Sequence, residues 1–167
     1  VASDEEEARS LVARLLSYLP DNADADPPRT EGRAPAKPPA GIDAVVPEAP
    51  RKGYDVRELL DRLADAGSVL ELKPDYGSEI VTAFARLDGR PVGVVANQPA
   101  VRAGAIFPDS AAKAAEFVWT CDAYGIPLLY LCDTPGFMAG SSVEKEGILE
   151  QGKKMIYATS AATVPKE

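Results

Sequence analysis

The chain has 167 residues, 46% of them hydrophobic, and 18 Lys and Arg against 26 Asp and Glu give a formal net charge of −8. That charge opposes nucleic acid and anionic lipid as partners, since both are bound by clustered cations, and no apolar run approaches the roughly 20 residues a membrane span needs. Histidine is absent, which excludes Ser-His-Asp and Cys-His mechanisms within the chain together with most zinc sites, because the usual general base and the commonest nitrogen ligand are missing.

The acidic start, Val1-Ala-Ser-Asp-Glu-Glu-Glu7, is unlike a secretory or organellar signal, so a cytoplasmic setting is expected; with no initial Met, a piece of a longer polypeptide is expected too. Ser3-Asp-Glu-Glu6 has capping-box spacing, and Ala8, Leu11, Val12, Leu15, Leu16 and Leu19 follow at helical intervals. An amphipathic helix is predicted over residues 4–19. From Pro20 to Arg51 the pattern stops. Pro27-Pro28, Pro38-Pro39, Pro47 and Pro50 block helix and ladder bonds, which predicts an extended or mobile linker.

Asp55-Val-Arg-Glu58 is a second capping signal, opening a helix with Val56, Leu59, Leu60 and Leu63 on one face and Gly67 as its stop. Residues 79–87 alternate as a strand, Asp88-Gly89 is a hairpin turn, and Val92-Gly-Val-Val-Ala96 is apolar on both faces like a buried strand. A Gly-containing loop from Asn97 to Phe107 precedes a helix capped by Asp109, packed through Ala111, Ala114, Ala115, Val118 and Cys121, and ended by Gly125. Ile126 to Cys132 is the next buried strand. After the loop 133–140, Ser141-Ser-Val-Glu144 is capping-like, Ile148, Leu149, Gly152, Met155 and Ile156 mark a crossover helix, and Thr163-Val164 begins another strand. The order hairpin, helix, strand, helix, strand predicts right-handed parallel units with ligand loops at the carboxyl ends of the strands. Cys121 and Cys132 both fall in apolar runs and are read as buried, reduced and unbridged.

Two motifs suggest phosphate chemistry and fail on context. Asp133-Thr-Pro-Gly136 looks like a GTPase switch and Gly147-Ile-Leu-Glu-Gln-Gly-Lys153 has phosphate-loop spacing. The residue after Lys153 is Lys154 rather than Ser or Thr, however, and the segment lies in a predicted helix instead of following a strand. The loop 133–140 reads either as a plain Pro and Gly turn or as a ligand loop, the latter favoured by its place after a buried strand and by the aromatic Phe137.

Seven segments decide between these readings: Lys73-Pro-Asp-Tyr-Gly77, Asp88-Gly-Arg-Pro-Val-Gly-Val-Val-Ala-Asn97, Asp109-Ser-Ala-Ala-Lys-Ala-Ala115, Cys121-Asp-Ala-Tyr-Gly-Ile-Pro-Leu-Leu129, Pro135-Gly-Phe137, Glu146-Gly-Ile148 and Ala162-Thr-Val-Pro-Lys166. In this order and spacing they resemble the carboxyltransferase component of biotin-dependent acyl-CoA carboxylases. The likeness covers Gly53 to Lys166, in that family's second, biotin-facing half, while Val1 to Pro20 resembles the end of its first half.

The resemblance implies an α/β, crotonase-like fold divided as 1–20, last helix of the first half; 21–52, Pro-rich linker; and 53–167, partial second half. It implies transfer of a carboxyl group from carboxybiotin to a short acyl-CoA, acetyl- or propionyl-CoA, with backbone N–H groups stabilising the anions that form, a task needing no His. Biotin would arrive on a partner, so a biotin carboxyl carrier and a biotin carboxylase are implied, as are an acyl-CoA substrate and a homo-oligomer; no metal is implied. Carried over by position, Pro135, Gly136 and Phe137 line the biotin side, Gly140 shapes the turn, and Gly104 and Ala105 are further candidates for close backbone contact. The family's Gly/Ala-rich oxyanion turn follows Val-Pro-Lys and would fall past Glu167, so this stretch is not expected to catalyse transfer by itself. Two alternatives stay open: a non-catalytic crotonase-like binding or assembly domain, and a biotin-dependent acyl-CoA decarboxylase subunit.

Overall fold

The computed structural model describes residues 2–22, 24–49 and 52–167. Val1, Ala23, Pro50 and Arg51 lie outside the described residues, and with them the part of the linker expectation that rests on Pro50.

Helix α1 (Glu5–Leu16) is capped by Asp4 rather than Ser3: the Asp4 carboxylate accepts the Glu7 N–H at 2.8 Å, and Glu7 reaches back to the Ser3 N–H at 2.6 Å. It ends three residues before the predicted Leu19. Tyr18 turns inward there, its ring stacked on Phe84 with centroids 5.6 Å apart and its hydroxyl donating to the Ser68 carbonyl. Among its described residues the proline-rich segment is without strand or α-helix: irregular backbone over 26–34 gives way to bends and turns, with a 3-10 turn at Ile42–Ala44. Its backbone is tied down by Thr30 N–H to the Gly89 carbonyl at 3.0 Å and Lys37 N–H to the Asp61 carbonyl at 2.9 Å. The buried Arg86 guanidinium gathers three pieces of chain, donating to the carbonyls of Ser17 (2.6 Å), Pro28 (2.7 Å) and Gly89 (3.0 Å).

Helix α2 (Arg57–Leu63) stops well before Gly67 because Ala64 turns extended and the buried Asp65 is committed elsewhere. Its carboxylate accepts the N–H groups of Asp88 (2.9 Å) and Gly89 (2.7 Å), fastening the hairpin turn. That turn joins β2 (Ile80–Leu87) to β3 (Arg90–Asn97), antiparallel from Ile80 opposite Asn97 to Leu87 opposite Arg90. Strand β1 (Leu70–Leu72), too short to show an alternation, adds to β2, and β4 (Leu128–Leu131) pairs parallel with β3, giving the order β1-β2-β3-β4.

Period-2 alternation gives the sheet two cores. Ile80 and Phe84 face α3 (Pro108–Ala123) and α5 (Ile148–Ala161), while Val81, Ala83 and Ala85 pack with Val56 and Leu60 on the α2 side. Gly93 lets α3 approach β3 closely, since a Cβ there would come 2.4 Å from Cys121 Sγ. The cap of α3 is Phe107, with Pro108 in the first helical position and Ser110 Oγ accepting the Phe107 N–H at 2.9 Å, two residues ahead of the predicted Asp109. The predicted second crossover helix is two helices, α4 (Ser141–Lys145) and α5, broken at Gly147, whose φ is +95°. Past α5 the chain lies parallel to β4, with Leu128 N–H to the Pro165 carbonyl at 2.9 Å and Tyr130 N–H to the Glu167 carbonyl at 2.8 Å. The strand expected from Thr163-Val164 does not form there: Val164 lies in a bend, and the segment meets β4 in a single parallel bridge, Lys166 opposite Leu128.

One core assignment fails. Cys121 is buried, and burial pushes its thiol up to about 12, whereas Cys132 is exposed. The apolar run Ile126 to Cys132 outlasts the sheet: β4 ends at Leu131, so Cys132 has already left it.

Candidate functional site

The carboxyl ends of β3 and β4 emit two loops, 98–107 and 133–140, that are stitched together by one residue. Ile106 N–H donates to the Gly136 carbonyl and the Ile106 carbonyl accepts the Met138 N–H, both at 2.9 Å, forming a parallel bridge with Phe137. Neighbouring parallel strands make this possible, because their carboxyl ends lie side by side.

Within the second loop, Thr134 Oγ1 accepts the Gly136 N–H at 3.0 Å. Gly136 has φ +110° and Gly140 φ +140°, backbone that side-chain-bearing residues rarely adopt, and no atom lies within 4 Å of where a Cβ would stand on either. The Gly136 backbone thus faces open space. Pro135 precedes it, exposed, and Phe137 follows with its ring 40% exposed. The ring rests on the bare Cα of Gly152 in α5, where a Cβ would sit 3.1 Å from Phe137 Cε1.

Beside Phe137 runs an open groove of about 660 Å³ lined by Met138, Ile148, Leu149, Ile156 and Tyr157. Its wall is apolar and largely uncovered: Leu149 is 77% exposed, Ile156 60% and Tyr157 65%. Patches of this kind on a folded surface mark ligand or partner contact. The sequence reading took Ile148, Leu149 and Ile156 only as marks of a crossover helix and missed the groove; the signal that would have revealed it is apolar residues on more than one face of α5, as in a helix covered from two sides.

Gly104 and Ala105 lie underneath, away from the groove. The Gly104 N–H bonds the Val101 carbonyl at 2.9 Å and the Ala105 N–H the Arg102 carbonyl at 3.1 Å, while a Cβ on Gly104 would come 2.6 Å from the Asp133 carbonyl oxygen. Gly104 therefore permits backbone contact between the loops. Tyr54 stands near Asp133, and burial together with that carboxylate pushes its phenol up to about 12. Most of the segment with phosphate-loop spacing, residues 148–153, forms the opening turns of α5 and follows the short helix α4 rather than a strand, so it lacks the strand-to-loop context of a phosphate loop.

These features meet their relatives in three comparisons. The family described as "Carboxyl transferase domain" matches residues 1–167. An uncharacterized carboxylase, YngE, of Bacillus subtilis (strain 168) is 47% identical over 166 residues, covering 99% of this chain and 32% of the relative. The biotin-dependent acetyl-/propionyl-coenzyme A carboxylase beta5 subunit of Mycobacterium tuberculosis (strain ATCC 25618 / H37Rv) is 43% identical over 173 residues, covering 99% and 31%. Among solved structures, the transcarboxylase 12S hexamer with hydrolysed methylmalonyl-coenzyme A superposes with a TM-score of 0.94 at 44% identity, covering 99% of this chain and 33% of that one.

The fold is accordingly crotonase-like α/β, present here as part of a domain. The chain belongs to the carboxyl transferase domain family, and it spans about a third of the length of the relatives it matches.

Proposed function

We propose that this chain forms the biotin-facing part of a carboxyltransferase that moves a carboxyl group from carboxybiotin to a short acyl-CoA such as acetyl- or propionyl-CoA. The observation that carries the reading is the Gly136 backbone, open on the side where a Cβ would stand and flanked by the exposed Phe137 ring and an apolar groove. A flat bicyclic urea with an aliphatic tail fits such a place, the ring against bare backbone and the tail along apolar side chains. Biotin, when bound, supplies a carboxyl group held on a ureido nitrogen.

In this reading the chain's residues bind and orient. Pro135 restricts the backbone entering Gly136, Gly140 turns it away again, and Phe137, seated on Gly152, offers the apolar surface. Gly104 and Ala105 serve from below, by bringing the two loops into contact. Residues 1–20 end the preceding half of the protein, 21–52 link the halves, and 53–167 begin the second. The exposed wall of α5 is then the surface a second subunit covers, which would exclude water from the groove. A biotin carrier, a biotin carboxylase and a cytoplasmic setting complete the proposal. The naming of similar proteins as biotin-dependent carboxylases supports it.

The test is Phe137→Ala in the whole subunit, assayed as carboxyl transfer to free biotin from a carboxylated acyl-CoA. Loss of an aromatic contact worth about 1.4 kcal/mol raises the KM for biotin about tenfold, with the KM for acyl-CoA unchanged. Equal effects on both, or none on biotin, would remove this loop from the biotin side.

A further inference from the structure

We propose that Asn97 is a positioning residue for the loop 133–140, acting through Gly104 and Ile106. The inference rests on the reading of that loop as the biotin side of a carboxyltransferase.

Asn97 is the last residue of β3 and is buried. Its Nδ2 donates to the Gly104 carbonyl at 3.0 Å. Between the two, the chain enters a backbone state it does not hold unaided: Arg102, Ala103 and Gly104 are all left-handed, with φ of +47°, +55° and +69°. Two of the three carry a Cβ, and single left-handed residues, not runs, are the norm. Such geometry persists only where the surroundings over-determine it, and it gathers at sites where placement matters.

Backbone bonds, the Arg102 side chain and the Asn97 amide hold this turn. The Gly104 N–H closes onto Val101. The Arg102 guanidinium pairs with Glu79 at 3.2 Å and lies 4.4 Å from the Phe107 ring centroid, but its side chain is 61% exposed, so this tie is screened by solvent. The Asn97 amide is buried and neutral, and its bond to the turn keeps its strength where water is excluded.

What the turn places is the site loop. Gly104 touches the Asp133 backbone so closely that a Cβ would overlap the carbonyl oxygen, and two residues on, Ile106 commits both its backbone groups to Gly136 and Met138. A shift of the Gly104 carbonyl therefore moves the two residues that bracket Phe137. Asn97 governs that carbonyl from beneath, without reaching the groove.

Asn97→Asp keeps the shape and loses the donor, setting a carboxylate oxygen against the Gly104 carbonyl. In the whole subunit, amide hydrogen exchange at Ile106 and Met138 should quicken by about tenfold or more, with amides inside β3 and β4 unchanged. The KM for free biotin should rise at least severalfold while the KM for acyl-CoA holds, a split that general destabilisation does not produce. If Asn97→Asp fails to fold, Asn97→Ser, which retains a shorter donor, carries the test with a smaller change in the same direction. Unchanged exchange at both amides overturns the proposal. So does faster exchange with unaltered biotin kinetics when Phe137→Ala does impair them. If Phe137→Ala also leaves biotin kinetics untouched, the biotin reading of the loop has failed, and the role of Asn97 in it falls for that separate reason.

Discussion

The Phe137 ring stands where it does because Gly152 has no side chain: a Cβ on Gly152 would lie 3.1 Å from Cε1 and 3.3 Å from Cδ1 of that ring. Loop and helix are thus matched at one point. Gly152→Ala should displace the ring by a few tenths of an ångström, and the loop, whose Phe137 is already partly in solvent, can yield. Alanine also suits a helix interior better than glycine by up to about 1 kcal/mol, so thermal stability should hold or rise. The KM for biotin should rise nonetheless. Calorimetry beside biotin kinetics reads both, and a fall in melting temperature with unchanged kinetics would mean that Gly152 serves only helix packing.

Gly136 poses a different question, because its open surroundings and its φ of +110° point to different consequences of substitution. No atom of the chain would meet the new methyl in Gly136→Ala, but the backbone would be strained by about 1–3 kcal/mol unless the loop rearranged. The Ile106 bridge should therefore loosen while the sheet stays intact. Biotin turnover should fall about tenfold or more, and the melting temperature should fall by no more than the few degrees that strain of this size costs, or less where the loop relaxes. A large early melt with normal activity per folded molecule would return Gly136 to the role of a turn.

The thiols give a simple check on burial. Cys132 should react with a soluble maleimide or disulfide reagent within minutes in the native chain, and Cys121 should react only after unfolding, as expected of an exposed thiol and of a buried one whose pKa is pushed up to about 12. Equal rates at the two positions would contradict the packing of α3 on β3.

These cases also show what the sequence could tell. The hairpin was legible because its alternation, its Asp88-Gly89 turn and its register agree at every level. Helix α3 was legible from its small apolar stripe, although its cap was misplaced, because Pro108 lets the helix begin before the Asp signal. Pro135, Gly136, Phe137 and Gly140 were singled out by motif likeness alone, and the structure places them in one loop, with Phe137 at the groove. What stayed hidden depends on tertiary contact: β1 is three residues long, Cys132 lies one step past its strand, and Asn97 meets Gly104 only because the chain turns left-handed between them. No periodicity encodes such pairings.

Lys113 offers a prediction independent of the site. It is 2% exposed, on α3, and its ammonium donates to the carbonyls of Tyr76 (2.9 Å) and Ile80 (2.8 Å), clamping the turn that leads into β2. Burial lowers its pKa from 10.5 to about 8, against the pull of Glu71 and Glu79 and with the help of Arg57 and Lys73. A folded pKa below the unfolded one means that between about pH 8 and 10.5 the unfolded chain binds more protons, so on this group's account stability rises with pH across that window. Below pH 8 the cost of burying the charge is constant. Cys121 acts in the opposite sense above pH 9, its unperturbed value, because the folded thiol holds its proton up to about 12. The clean interval is therefore pH 8 to 9. Lys113→Met should remove the upward slope there while losing the clamp on Tyr76 and Ile80, so its stability is lower but flatter with pH. Urea unfolding at half-unit steps measures this. Parallel curves for the native chain and Lys113→Met across that interval would show that Lys113 does not titrate there, and that its two carbonyl bonds hold the charged form as firmly as water does.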